Sequence, residues 1–157
     1  MKTYASLGRL LLGIWLIATG IMGIFGIAFQ ILTLAADILA IATGVILLIG
    51  LRRGNWIDRL AIIFLAAWLI LVGLMPLVGM GLPFSSEIVI ILAILAGIFL
   101  LIGLRGAKAF GRIGQILLAI WLIATAAVPM LNLDLPGAGI VLAILGIVAG
   151  VFIIIDR

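Results

Sequence analysis

The chain contains no cysteine and no histidine. The first absence excludes disulfides, thiolate metal sites and thiol nucleophiles. The second removes the commonest general base and the commonest metal ligand. Charge is also scarce: Asp, Glu, Lys and Arg make up 9% of the 157 residues, against about 25% in an average soluble domain. No Walker motif, dinucleotide fingerprint, serine elbow or metal-ligand spacing is present. The sequence therefore names no catalytic residue, no cofactor site and no metal site, and the chain reads as a non-enzyme.

What is there is overwhelmingly apolar, with 68% of residues hydrophobic. A soluble fold of this size lacks the interior to hide so much apolar side chain, so lipid must be the solvent for much of it. Six apolar segments approach the length that a bilayer requires, at about 8–26, 35–51, 57–75, 86–104, 113–129 and 138–155.

The segments carry an internal echo. Trp15, Trp68 and Trp121 are spaced by 53 and 53, as are Gly44, Gly97 and Gly150, and the same offset relates Gly20, Gly73 and Ala126. A self-similarity of this length implies one helical hairpin present three times, at about 7–52, 59–105 and 112–157. Lys2 and Arg9 ahead of an apolar run resemble the start of a signal peptide. However, GIWLIATG at 13–20 recurs as AAWLILVG at 66–73 and AIWLIATA at 119–126, so the segment is expected to be retained structure.

The cations sort with this scheme. Lys2 and Arg9 precede the first span, Arg52, Arg53 and Arg59 lie between the second and third, Arg105, Lys108 and Arg112 lie between the fourth and fifth, and Arg157 follows the sixth. All nine then share one face, which the positive-inside rule assigns to the cytoplasm together with both termini. The formal charge of +4 is thus explained by topology and by contact with anionic headgroups rather than by nucleic acid.

The opposite loops, at 26–34, 75–83 and 129–136, are themselves apolar and should sit at the interface or under protein. Pro76, Pro83, Pro129 and Pro136 are expected to break the helices there. Ser85 and Ser86 form a plausible N-cap for the fourth helix, and Glu87 suits its positive end. Asp37 takes the same terminal place in the second helix, and Asp134 lies just before the sixth. With these acids at helix ends, no ionisable group falls near the expected midplane, which counts against a coupled transporter.

Small residues recur four apart and in register: Ala40 and Gly44, Ala93 and Gly97, Gly146 and Gly150. Such pairs let helix backbones approach closely. They predict one shared kind of tight contact for helices two, four and six, and favour placing those helices inside. Trp121 lies nine residues after Arg112, about 13 Å along a helix and too deep for an interfacial belt. Trp15, Trp68 and Trp121 therefore read either as core filling against the glycines or as the wall of a site for an apolar ligand. Trp56 and Tyr4 are ordinary interfacial anchors. Thr19, Thr43 and Thr125 can bond to their own helix carbonyls, and Gln30, Gln115 and Asn132 fall near span ends.

The motifs GIWLIATG, MPL and LLIGLR, in a glycine-rich hairpin that ends in Gly and Arg, resemble the short-repeat, six-span membrane proteins grouped with the HdeD/DUF308 acid-resistance family. That resemblance implies a role in stress or membrane integrity and no catalytic residues. The sequence as a whole predicts a single all-α integral membrane domain of six transmembrane helices, arranged as three repeated hairpins about a pseudo-threefold axis along the membrane normal. Its expected role is that of a structural or accessory protein of the cytoplasmic (inner) membrane. Its partners would be lipids, further copies in a homo-oligomer, or other membrane subunits. The alternative is a channel or carrier for a small or apolar solute near the axis; an enzyme built on Asp37, Glu87 and Asp134 is remote.

Overall fold

In the computed structural model, residues 2–26, 29–51, 55–79, 85–103, 109–132 and 134–156 are described. They form six α-helices: α1 (Lys2–Phe25), α2 (Gln30–Ile49), α3 (Trp56–Val78), α4 (Ser85–Ile102), α5 (Ala109–Met130) and α6 (Ala138–Ile155). No strand occurs among the described residues. Five helices are long and apolar enough to cross a membrane, and α4 contributes a shorter apolar stretch, Ser86–Ile102. The chain is thus a multi-pass, all-helical membrane protein.

Each helix packs against its neighbours in sequence, and α6 closes on α1. No other pair of helices is in backbone proximity among the described residues, so the six form a closed ring. Neighbours run antiparallel: across α1 and α6, Gly13 meets the Gly150 carbonyl while Gly20 meets that of Ala143. The core is drawn mainly from α1, α3 and α5, through Leu12, Trp15 and Leu16, Leu65, Trp68 and Leu69, and Leu118, Trp121 and Leu122. The outward faces are covered with exposed Ile, Leu and Val, including Ile38, Val45, Ile91, Ile98, Ile144 and Val151. In lipid such a surface needs no further cover, because every helix satisfies its own backbone.

Besides α1, which begins at Lys2 rather than near residue 8, helix ends depart from the sequence reading at two kinds of place. Pro76 and Pro129 do not stop their helices but lie inside the last turns of α3 and α5. A proline there forfeits one hydrogen bond to the carbonyl four residues back, a loss the frayed end of a helix tolerates. The stop after α3 is Gly79, whose φ of 60° is the left-handed conformation that glycine adopts without strain. Pro83 lies outside the described residues, and Pro136 stands in the turn before α6.

The other departure is α2, which starts at Gln30 rather than near residue 35. Nothing in 29–35 breaks a helix: the stretch has neither glycine nor proline, and Thr33 bonds back to the Gln30 carbonyl at 2.9 Å. Phe29, Ile31 and Leu32 are exposed apolar residues suited to the membrane interface. Asp37 is therefore not terminal. It sits two turns inside α2.

Candidate functional site

The middle of the ring is occupied by three indoles. Trp15, Trp68 and Trp121 each lie about halfway along α1, α3 and α5. Their ring centroids are 5.9, 6.0 and 5.8 Å apart, and their planes cross at 85°, 88° and 88°. Each ring thus meets both others edge to face, an arrangement that sets the positive edge of one indole against the negative face of the next. Each such contact contributes about 0.5–1.5 kcal/mol beyond the area it covers. All three side chains are buried, at 5%, 5% and 9% exposure. Leu16, Leu69 and Leu122 are fully buried beside them. The tryptophans are therefore a packed centre in which each ring contacts the other two, and Trp121 also adjoins Gly146 of α6.

The three indoles differ in one respect. Nε1 of Trp121 donates to the Leu142 carbonyl of α6 at 2.9 Å. Nε1 of Trp68 is buried and has no partner. Gly146 explains how the first bond forms. A carbonyl in a helix is reached from outside most easily when the residue four ahead carries no side chain, and a Cβ at Gly146 would lie 3.0 Å from the Trp121 nitrogen. The residues 53 before Gly146 and Leu142 are Ala93 and Val89 on α4, and there a methyl group is present.

All six small residues picked from the sequence are buried: Ala40, Gly44, Ala93, Gly97, Gly146 and Gly150. They do not gather α2, α4 and α6 in the middle, however, which corrects that expectation. A Cβ on Gly44 would meet the Ala66 carbonyl of α3, one on Gly97 the Ala119 carbonyl of α5, and one on Gly150 the Gly13 carbonyl of α1. The glycines thus face sideways, each onto the odd helix that follows it around the ring. Interhelical Cα–H···O contacts become available at that range. The centre goes to the helices that carry the large side chains.

Three residues to which no packing role was assigned from sequence share these seams. Gly13 and Gly20 on α1 lie against the Gly150 and Ala143 carbonyls, and Gly73 on α3 lies against the Asp37 carbonyl. The offset of 53 between Gly20 and Gly73 was the available signal. The buried leucine series at 12, 65, 118 and 16, 69, 122 follows the same offset and could have been read with the tryptophans.

Of the basic face, Arg59 and Arg112 are exposed near the starts of α3 and α5, and Arg9 is exposed two turns into α1. Arg52, Arg53, Arg105 and Lys108 lie outside the described residues. Ser85 and Ser86 open α4 as its first two residues, and Glu87 is exposed in that first turn, where the helix dipole favours a carboxylate. Asp134 is exposed ahead of α6. No group of three His, Cys, Asp or Glu residues able to hold a metal ion occurs among the described residues.

The intramembrane hydroxyls are satisfied locally. Thr19 donates to the Trp15 carbonyl at 2.8 Å, Thr43 to Leu39 at 2.6 Å and Thr125 to Leu122 at 2.8 Å. Trp56 and Tyr4 are exposed near the starts of α3 and α1, as interfacial anchors would be. Compared with known proteins, the chain matches no family model, no curated protein and no solved structure.

Proposed function

We propose that this protein is a non-enzymatic structural or accessory protein of the cytoplasmic membrane, working through its outer surface by packing with lipids, with itself or within a larger membrane complex. The observation that carries this reading is the contrast between centre and exterior. Tryptophan and leucine fill the middle, where a solute path would have to run, while isoleucine, leucine and valine cover the outside. A middle filled with side chains among the described residues favours adhesion at the surface over passage through it.

In this reading α1–α2, α3–α4 and α5–α6 are three copies of one hairpin, all six helices span, and the copies turn about a pseudo-threefold axis along the membrane normal. Residues 53 apart hold corresponding places in the core and seams, which supports that description. The end that carries Arg9, Arg59 and Arg112 faces the cytoplasm by the positive-inside rule. Kinship with the HdeD/DUF308 proteins would fit a role in membrane integrity.

Gentle detergent extraction from native membranes, followed by mass measurement, tests the reading. A particle larger than one chain is expected. Recovery only as a monomer, combined with solute flux in liposomes, overturns it in favour of a carrier. Orientation is checked by labelling Arg53→Cys and Met80→Cys in sealed vesicles, where the two thiols should react from opposite sides.

A further inference from the structure

Asp37 is the one carboxylate that the fold carries well inside a spanning helix. Its carbonyl abuts Gly73, which lies five residues beyond Trp68 on α3. At helical rise this places it about 7.5 Å from the level of the tryptophans. The half-thickness of a hydrocarbon core is about 15 Å. Asp37 is half-buried and has neither an ion pair nor a hydrogen bond among the described residues. A carboxylate at such depth is costly, and such groups are normally paired. At the corresponding places on α4 and α6 stand Ile90 and Ala143, so the acid belongs to one side of the ring only.

No cation among the described residues lies near it. α2 packs only against α1 and α3. Their charged residues, Lys2, Arg9, Asp58 and Arg59, all lie toward the opposite end. Gly8, beside Arg9, faces Leu47, ten residues or about 15 Å along α2 from Asp37. Arg59 precedes Gly73 by fourteen residues, about 21 Å along α3. The loops at the near end contain no Lys or Arg anywhere in the sequence. A second copy in the same orientation carries its cations at the same wrong end.

Beside Asp37 runs an exposed apolar stripe, Ile31, Leu34, Ile38, Val45 and Ile49, on one face of α2. Lipid covers such a stripe elsewhere on the ring; here Asp37 on its flank gives a helix laid along it a charge to pair with. From this juxtaposition we infer that the α2 face at Asp37 docks a membrane-spanning helix of a different protein, one that carries a Lys or Arg in the half of the bilayer remote from the arginine end. This rests on the accessory reading above and names the class of partner.

The test uses the full-length purified chain in phosphatidylcholine vesicles and three synthetic Leu/Ala spanning helices. One has a lysine in the remote half, one has it in the near half, and one has none. Association is read by energy transfer. The remote-lysine helix should bind at least tenfold tighter than the other two, with the advantage lost in Asp37→Asn and kept in Asp37→Glu. It should also protect Asp37 from a lipid-soluble carbodiimide.

Equal binding of the three helices, or an advantage that survives Asp37→Asn, overturns the inference. So does undiminished carbodiimide labelling, which would mean that a proton satisfies the acid. Should Asp37→Asn not fold, the comparison of helices on the unaltered chain decides. A large native particle alongside indifferent helices defeats this inference alone, whereas recovery only as a monomer, with solute flux in liposomes, defeats the accessory reading itself.

Discussion

The seam between α6 and α1 and the seam between α4 and α5 join the same kinds of helix in the same register, yet they are not equally tight. At the first, Gly13, Gly20 and Gly150 all lie against backbone carbonyls of the facing helix. At the second only Gly97 does, because Ala119 and Ala126 stand where the first seam has Gly13 and Gly20. The α2/α3 seam, with Gly44 and Gly73, is intermediate. The extent of helix contact follows the same order. A physical reason lies in connectivity. α4 leads into α5 through a short connection that keeps the two together, whereas α6 and α1 meet with no connection between them. The untethered joint must be held by packing alone, and in lipid close backbone approach is a principal source of attraction between helices.

The largest expected effect comes from filling the tight joint. A Cβ at Gly150 would lie 2.7 Å from the Gly13 carbonyl oxygen, with Leu16 and Ile17 crowding the rest of the side chain. Gly150→Leu should cost about 3 kcal/mol, the upper part of the overpacking range, and open the ring at α6. At Gly97 the same test gives 3.1 Å to the Ala119 oxygen, so Gly97→Leu should cost less, about 2 kcal/mol. Ile98→Leu, on an exposed residue of the same helix, should change stability by under about 0.5 kcal/mol. Unfolding in detergent followed by tryptophan emission ranks the three. Equal tolerance at 150 and 97 would remove the distinction between the joints.

Much of this was legible in the sequence, and the parts that were not share a cause. The 53-residue offset singled out Trp15, Trp68 and Trp121 and the glycines at 44, 97 and 150, because repetition survives without knowledge of what touches what. It could not say which way those residues face. Small residues suggested a central position for α2, α4 and α6, but bulk decides who fills the middle of a ring of six, and bulk resides on α1, α3 and α5. Helix ends were misread wherever a local breaker rule met an apolar context. Pro76 and Pro129 sit inside the last turns of α3 and α5 rather than beyond them, and α2 began a turn and more early because interfacial Phe29, Ile31 and Leu32 are as content in lipid as in a loop. That last shift moved Asp37 from a helix end to the interior of a span.

A smaller effect is expected at the joint between α5 and α6, within one hairpin. Gly146→Ala places a methyl 3.0 Å from the Trp121 nitrogen and should push the indole off the Leu142 carbonyl. The loss is that of a buried donor left without a partner, about 1–2 kcal/mol. A fall in Tm together with an upfield shift of the Trp121 indole proton would show it. An unchanged indole resonance would mean that Gly146 does not govern the bond.

The reverse substitution, Ala93→Gly on α4, has the smallest effect on stability and sharpens the comparison most. If the methyl of Ala93 is what keeps Trp68 from the Val89 carbonyl, removing it should let the unpartnered nitrogen form the bond that Trp121 already has. The new hydrogen bond is worth about 1 kcal/mol net. Glycine in a helix interior costs about 1 kcal/mol relative to alanine. The two nearly cancel, so a melting curve is the wrong instrument. The indole proton of Trp68 is the right one: it should move downfield to the position of Trp121, and its exchange with water should slow. A resonance that stays in place would show that the asymmetry among the three tryptophans is set by how far α3 and α4 stand apart, and not by a single methyl group.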